Sequence, residues 1–404
     1  MKIVWGSLVA VAALSVAGAA HAQSRDYQPN GARVGSFTVF PSLTVGLEYT
    51  DNAFLEDTNT EDDTIARVRP GILARSNFKR HEVVASLTGN AAFHSNNDDD
   101  NTFDYNARLL GTIEASRALR ILPEVSYRAG SEQRGDNNVN NLAAEPSTFD
   151  VMTGKVQAIY KAGRVTLEAG AGAAYTDFND FAITGGGNAT QDDRDRLRID
   201  TNARVAYEFR SKTDVFVRGT YSMVDFDNVD PTVLQKRDSD IFSATVGISH
   251  RPTERTEATI GAGYIVQNFD NNAFGSVDGF AVNGILAWEL SALTTVTGRI
   301  ERRIDQTTDV TASSELVWSG RLGVRHQLRR NVVLGGDVGY SNRLFEGGTS
   351  VRDDDRYEAR AQADYYINRN FSVGAQYRFA RRISNLAGNG FSENRVQATV
   401  TARF

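Results

Sequence analysis

The chain has 404 residues, no cysteine, a formal net charge of −6 and 41% hydrophobic residues. A disulfide framework is therefore excluded, so stability has to come from packing and hydrogen bonds, and the acidic balance gives no reason to expect a nucleic-acid partner. The mean hydropathy of −0.37 looks soluble, but a wall of strands that turns only every second residue to lipid has an equally low mean.

The first residues, MKIVWGSLVAVAALSVAGAAHA, carry an early Lys2, an apolar run and small residues ending at Ala20-His21-Ala22. That is the layout of a secretory signal over 1–22, cleaved before Gln23. Glycines interrupt the run and no basic stop-transfer flank follows, which argues against a membrane helix. Removing the segment takes away Lys2 and no acid, moving the formal charge from −6 to −7. Residues 23–40 read as a periplasmic N-terminal tail, and 41–404 as a single repeating domain.

From Pro41 onward an alternation of apolar and polar residues recurs in runs of about ten. The stretch DRLRIDTNARVAYE at 195–208 is the clearest case. On a helical wheel its apolar residues scatter, whereas with a period of two Leu197, Ile199, Thr201, Ala203, Val205 and Tyr207 share one face. Arg196, Arg198, Asp200, Asn202, Arg204 and Glu208 share the other. About eighteen such runs begin near residues 41, 64, 82, 103, 121, 149, 165, 195, 214, 238, 256, 279, 294, 314, 332, 356, 371 and 394. The expected fold is all-β, a transmembrane antiparallel up-and-down barrel of about 18 strands, with 16 as the alternative.

The connectors take turns in character. Short, basic ones such as NFKRH at 77, KAGR at 161 and INRN at 367 alternate with long, acidic ones such as DNAFLEDTNTEDD at 51, SNNDDDNT at 95 and SEQRGDNNVNNLAAEPST at 131. Tight periplasmic turns and longer outer loops give this alternation in an outer-membrane barrel, whereas a soluble sandwich has no reason to put every long connection at one end. Tyr49, Tyr127, Tyr175, Tyr221, Tyr264, Tyr340 and Tyr377 lie on the apolar face just before long loops. Tyr160, Tyr207, Tyr365 and Phe404 lie on it near short turns or the chain end. Two aromatic girdles bounding a lipid-facing band follow from the interfacial preference of such rings.

Energy decides which face meets lipid. An arginine near the bilayer midplane costs about 2–4 kcal/mol, so the charged face must look into a wet interior. Closure into a barrel removes the unpaired strand edges that hydrocarbon would not tolerate. The final RVQATVTARF places Val396, Ala398, Val400, Ala402 and Phe404 on one face, and resembles the recognition end of bacterial outer-membrane barrels.

PSLTVGLEYTDNAF at 41–54, followed by IARVRPGILA at 65–74, resembles the outer-membrane beta-barrel porin type 2 family, and the likeness runs through most of the mature chain. Its distinctive residues are Tyr49-Thr50-Asp51-Asn52, Phe54 and the Pro70-Gly71 step. The resemblance implies a link to exopolysaccharide or capsule export and brings no catalytic residue with it.

Histidine is scarce after the signal, and His81, His94, His250 and His326 stand on separate hairpins with no i, i+4 partner. A Ser/His/Asp hydrolase site would have to involve His94. Asp98-Asp99-Asp100 and Asp353-Asp354-Asp355 read as solvated loop charge rather than dedicated calcium loops, because they lack the ordered ligand spacing. The glycines at 170–174 and 261–263 sit within strand patterns, where they relieve crowding rather than cradle a phosphate.

Eighteen strands about 4.8 Å apart and tilted about 40° enclose a backbone tube about 35 Å across, too wide for side chains to fill. The expected function is passive passage of hydrophilic solutes, with the loops at 131–148 and 176–194 as candidate constrictions. Candidate pore-lining residues are Arg67, Arg69, Arg108, Arg128, Arg196, Arg198, Arg204, Arg218, Arg299, Arg321, Arg325, Arg356, Arg360 and Arg378, with Arg395 beside them. Such a wall either favours anionic sugars by charge or forms a ladder of cross-strand salt bridges. The alternative function is a structural or surface-interaction barrel with a closed lumen and acidic loops that bind ions or lipopolysaccharide. No enzyme, metal or cofactor is called for. The expected partners are outer-membrane lipid and lipopolysaccharide, the barrel-assembly machinery through the C-terminal strand, and by resemblance polysaccharide. The expected location is the outer membrane of a Gram-negative bacterium.

Overall fold

The computed structural model describes residues 27–135, 143–230, 234–307, 309, 311–348 and 352–404, so the expected signal at 1–22 lies outside the described residues. Eighteen long strands build the wall. They are β1 Phe37–Thr50, β2 Asp63–Ser76, β3 Glu82–His94, β4 Thr102–Glu114, β5 Leu119–Glu132, β6 Ser147–Ala162, β7 Val165–Phe178, β8 Arg196–Arg210 and β9 Thr213–Phe226. There follow β10 Ser239–Thr253, β11 Thr256–Phe269, β12 Val277–Ser291, β13 Thr294–Gln306, β14 Ser314–Arg329, β15 Val332–Glu346, β16 Asp353–Tyr366, β17 Phe371–Ser384 and β18 Phe391–Arg403.

Each strand pairs antiparallel with its sequence neighbours, and β1 closes the barrel against β18 from Ser42/Arg403 to Thr50/Arg395. Phe404 completes the seam by donating its amide to the Pro41 carbonyl at 3.0 Å. The wall starts four residues before the expected Pro41, and a short strand Ala32–Val34 pairs back onto β1 within the segment read as a tail. The cause is the edge that β1 would otherwise present at this end, which Ala32–Val34 partly covers.

The period-two pattern sets the two faces. Leu43, Val45, Leu47, Tyr49, Phe103, Val205, Val246, Tyr264, Val338 and Val400 are all exposed on the outside of the tube. Their strand neighbours, among them Glu48, Glu124, Glu168, Arg204, Thr245 and Gln397, are buried on the inside. This inversion of the usual soluble arrangement is what lipid requires of a barrel.

The eight short connections lie at one end and the nine long ones at the other. Where β8–β9, β10–β11, β12–β13 and β14–β15 turn through two residues, the register shifts beside the turn. These bulges raise the local twist. At the β6–β7 turn Gly163 takes a positive φ of 59°, which glycine adopts without steric cost.

Candidate functional site

All fourteen candidate arginines stand on the inward register, and most are held by carboxylates rather than left free. An unbroken chain of ion pairs crosses seven consecutive strands, including the closure seam. It runs from Arg67 on β2 to Glu48 on β1 (2.8 Å), and from Glu48 to Arg395 on β18 (2.9 Å). Arg395 meets Glu393, which meets Arg378 on β17 at 3.3 Å. Glu358 on β16 then gathers Arg378 (3.1 Å), Arg356 (3.1 Å) and Arg321 on β14 (2.5 Å). Arg321 and Arg360 share Asp337 on β15. Elsewhere Arg108 holds Glu124 (2.8 Å), Arg204 holds Glu168 (2.6 Å), Arg198 holds Asp200 (2.9 Å) and Arg299 holds Glu301 (2.9 Å).

Arg69, Arg128, Arg196, Arg218 and Arg325 have no carboxylate at ion-pair distance among the described residues. Arg69 donates to the Asn90 side chain at 3.1 Å. Arg128, Arg196 and Arg218 lie on the β5–β9 arc, where inward phenylalanines replace acids as their neighbours. Arg128 sits 5.1 Å from the Phe149 ring centroid, Arg196 5.5 Å from Phe178 and 5.8 Å from Phe226, and Arg218 5.8 Å from Phe216. Cation–π attraction orients a guanidinium without cancelling its charge. On the inner wall the ion-pair chain thus engages most of the candidate arginines over β14–β2, Arg69 and Arg325 excepted, while over β5–β9 Arg128, Arg196 and Arg218 stand beside phenylalanines. Gly247 and Gly261 leave room for the Phe216 ring, since a side chain at either would press on its tip.

At the long-loop end several loops bend inward. Leu55, in the first loop, takes the left-handed φ of 54° that a branched residue rarely adopts, and buries itself against Ala380 and Phe391 on the inner face of β17 and β18. The third loop follows it. Gln133 donates to the Ala53 carbonyl at 2.5 Å, Arg134 stacks 4.0 Å over Phe54, and Arg382 of β17 donates to the Gly135 carbonyl at 3.3 Å. A third of the barrel circumference separates β5 from β17, so the start of this loop leans across the mouth. Residues 136–142 of the expected constriction lie outside the described residues. The fourth loop is fixed by Arg194, which holds Glu132 through both carboxylate oxygens and stacks 3.7 Å over Phe178. Nothing in the alternation marked the inward turn of the first loop; the one sign was the apolar run Ala53-Phe54-Leu55 in an acidic connector.

Carboxylates in these loops are perturbed. Burial pushes Asp195 up to about 6, helped by the negative charges of Asp177, Asp192 and Asp227 and opposed by the Phe178 amide that donates to it at 2.7 Å. Burial likewise raises Asp238, which accepts from the Phe226 amide at 2.7 Å and lies near Asp225 and Asp270.

On the outside, six of the seven candidate tyrosines at the long-loop end are tied down, and Tyr49 is exposed beside them. Tyr127 donates to Asp150 (2.6 Å), Tyr175 to Asp227 (2.6 Å), Tyr221 to Asp240 (2.7 Å), Tyr340 to Asp355 (2.7 Å) and Tyr377 to Asn394 (2.7 Å), while Tyr264 donates to Asp278. Tyr160, Tyr207, Tyr365 and Phe404 are exposed at the opposite end. The acidic tracts also have internal partners. Asp100 pairs with Arg134, Asp354 with Arg352 (2.7 Å), and Asn342 donates to Asp353 and Asp355. His94 contacts Asp63 at 2.8 Å, but the Ser95 hydroxyl donates to Asp63 at 3.0 Å rather than to the imidazole. Ser95 and His94 thus share Asp63 and are not paired with each other, so the serine–histidine contact of a Ser/His/Asp arrangement is not formed. No group of metal-ligating side chains forms among the described residues.

The sequence matches the family described as "Putative beta-barrel porin 2" over residues 25–404. The chain belongs to that family, and it is a porin-like β-barrel of the outer membrane. No curated protein matches it. Among solved structures it is similar to OpdL of Pseudomonas aeruginosa, with 12% identity, 92% of this chain and 99% of that one covered, and a TM-score of 0.43. The outer membrane protein OpdK of the same organism has 11% identity, coverage of 91% and 99%, and a TM-score of 0.44. The siderophore receptor PirA of Acinetobacter baumannii has 9% identity, coverage of 90% and 80%, and a TM-score of 0.49.

Proposed function

We propose that this barrel is a passive channel for hydrophilic solutes, with anionic saccharides as the favoured class and exopolysaccharide export as its setting. Cleavage of residues 1–22 and delivery of the Phe404 end to the barrel-assembly machinery belong to the same reading. The observation that carries the selectivity is the basic β5–β9 arc, where Arg128, Arg196 and Arg218 keep their charge uncompensated by a paired carboxylate. An anion entering this arc meets three donors that need no ion pair broken first, whereas over β14–β2 most arginines, Arg69 and Arg325 apart, are already engaged. Family likeness supports the export setting, and the charge pattern supports saccharides bearing carboxylates over neutral ones.

Reversal potentials in planar bilayers under a potassium chloride gradient test the proposal. Anion preference is expected, and Arg128→Gln, Arg196→Gln and Arg218→Gln combined should reduce the anion-to-cation permeability ratio severalfold. Uronate oligomers should block the current more strongly than neutral oligomers of equal length. Cation preference in the parent protein defeats the reading. A folded barrel without conductance selects instead the closed, surface-interacting barrel, which the inward-leaning Leu55 and Gly135 favour.

A further inference from the structure

The wall is interrupted between β12 and β13. Their ladder runs only from Ser291/Thr294 to Asn283/Glu301, although β12 continues upward to Val277 and β13 to Gln306. Above that point β12 pairs with β11 alone and β13 with β14 alone. Strand parity shows what has happened. Ile304 and Leu316 belong to the outward face of β13 and β14, while Ile241, Ile265, Val277 and Ala281 belong to the inward face of β10, β11 and β12. All six nevertheless form one buried apolar cluster. The upper hairpin of β13 and β14 therefore overlaps the inside of β10–β12, like the edge of a rolled sheet.

Polar contacts secure the overlap. Ser314 at the start of β14 donates to Gln267 at 2.6 Å, and Gln267 in turn donates to Ser239 at 2.8 Å. Arg237 reaches the carbonyls of Thr307, Ala312 and Ser313 within 3.5 Å, and pairs with Asp230 at 2.9 Å. With the hairpin inside, the top of β12 meets the end of β15, where the Gly275 amide donates to the Gly347 carbonyl at 3.3 Å. Gly279 lies at the edge of the interruption, and a side chain there would touch Leu316 at 3.4 Å and Arg302 at 3.3 Å.

A second arrangement is written into the same register. Continuing the Asn283/Glu301 pairing upward sets Ala281 opposite Arg303, Phe280 opposite Ile304 and Gly279 opposite Asp305. Arg303 and Asp305 then point inward, and Phe280, Arg302 and Ile304 outward, Arg302 already standing 3.9 Å from the Phe280 ring near the long-loop end. Zipping recovers the ladder that the overlap forgoes and exposes the inner apolar panel to water, so the two arrangements exchange hydrogen bonds for burial. Such opposed gains make a wall segment bistable.

We propose that the β13–β14 hairpin is the size-selecting element of the outer mouth, narrow when tucked against β10–β12 and wide when zipped to β12. The inference rests on the channel reading for its consequence, not for the movement itself. The absence of cysteine from the chain permits a clean test. Gly279→Cys with Leu316→Cys should form a disulfide that holds the tucked arrangement, and Phe280→Cys with Ile304→Cys one that holds the zipped arrangement. Both are read by gel mobility on the refolded full barrel under oxidation and reduction. In planar bilayers, with polyethylene glycols of graded size as probes, the first lock should lower the exclusion size and the second raise it, and reduction should reverse both. Arg237→Ala should increase the second cross-link. Failure of the Phe280/Ile304 pair to cross-link while the Gly279/Leu316 pair does so overturns the movement, as does an exclusion size unaffected by either lock. If both cross-links form in a barrel that never conducts, the channel reading fails and the mouth-sizing role fails with it, while the two arrangements stand.

Discussion

Glu168 and Arg204 face each other across β7 and β8 at 2.6 Å, both buried, with the guanidinium 4.4 Å from the Phe216 ring and donating to Ser249 at 3.2 Å. Removing one partner of such a pair strands the other charge, which costs about 3–5 kcal/mol. Glu168→Ala should therefore lower the unfolding free energy by about that amount in urea titrations of the barrel in detergent micelles. Asp195 carries a pH dependence of known sign. Its pKa of about 6 in the folded loop stands above its ordinary value of 3.8, so the folded loop binds the proton more tightly. Loop stability then rises as pH falls from 6 towards 4, and ionisation above 6 weakens it. Protection factors of the loop amides, corrected for the intrinsic pH dependence of exchange, should rise as pH falls across that window in the parent protein, and Asp195→Asn should flatten the response. Alternation made the face of each of these residues legible, but not its partner. Which arginine meets which carboxylate depends on lateral register, and turn lengths and bulges set that.

A strand such as β10 was legible because lipid enforces its pattern. Val246, 62% exposed at mid-strand, has Thr245 and Gly247 on the other face. Val246→Arg should destabilise the barrel by about 2–4 kcal/mol in lipid vesicles, measured by reversible unfolding; a change below 0.5 kcal/mol would remove Val246 from the lipid face. All eighteen strands begin within four residues of where the alternation placed them, with the largest displacement at Phe37. Strand ends were blurred because inward residues and loops share the same polar composition. The overlap of β13 and β14 was hidden for a different reason. Ile304 and Leu316 are apolar on the outward register whether lipid or protein covers them, so the period of two cannot tell an overlapped wall from a lipid-facing one. The first loop escaped notice similarly, since Leu55 is held by β17 and β18 across a long sequence separation.

For the whole molecule, the ion-pair chain from β14 to β2 joins the last strands to the first, so it braces the closure as well as lining the lumen. Glu358 is its junction, taking Arg321, Arg356 and Arg378 at once. Replacing it with glutamine leaves Arg321 with Asp337 and Arg378 with Glu393, but Arg356 loses its one carboxylate among the described residues. Two effects should follow from the same change. Stability should fall by about 1.5–3 kcal/mol, the range for hydrogen bonds to charged groups. The uncompensated charge on the β16 side should raise the anion-to-cation permeability ratio, opposite in sign to the loss expected from neutralising Arg128, Arg196 and Arg218. High salt should shrink the permeability effect by screening while leaving most of the stability loss, because the ladder is partly buried and the passing ions are not. Paired measurements on Glu358→Gln, reversal potential at low and high ionic strength and urea unfolding, check both. A stability loss with an unchanged reversal potential would make the ladder a brace alone and would confine selectivity to the β5–β9 arc.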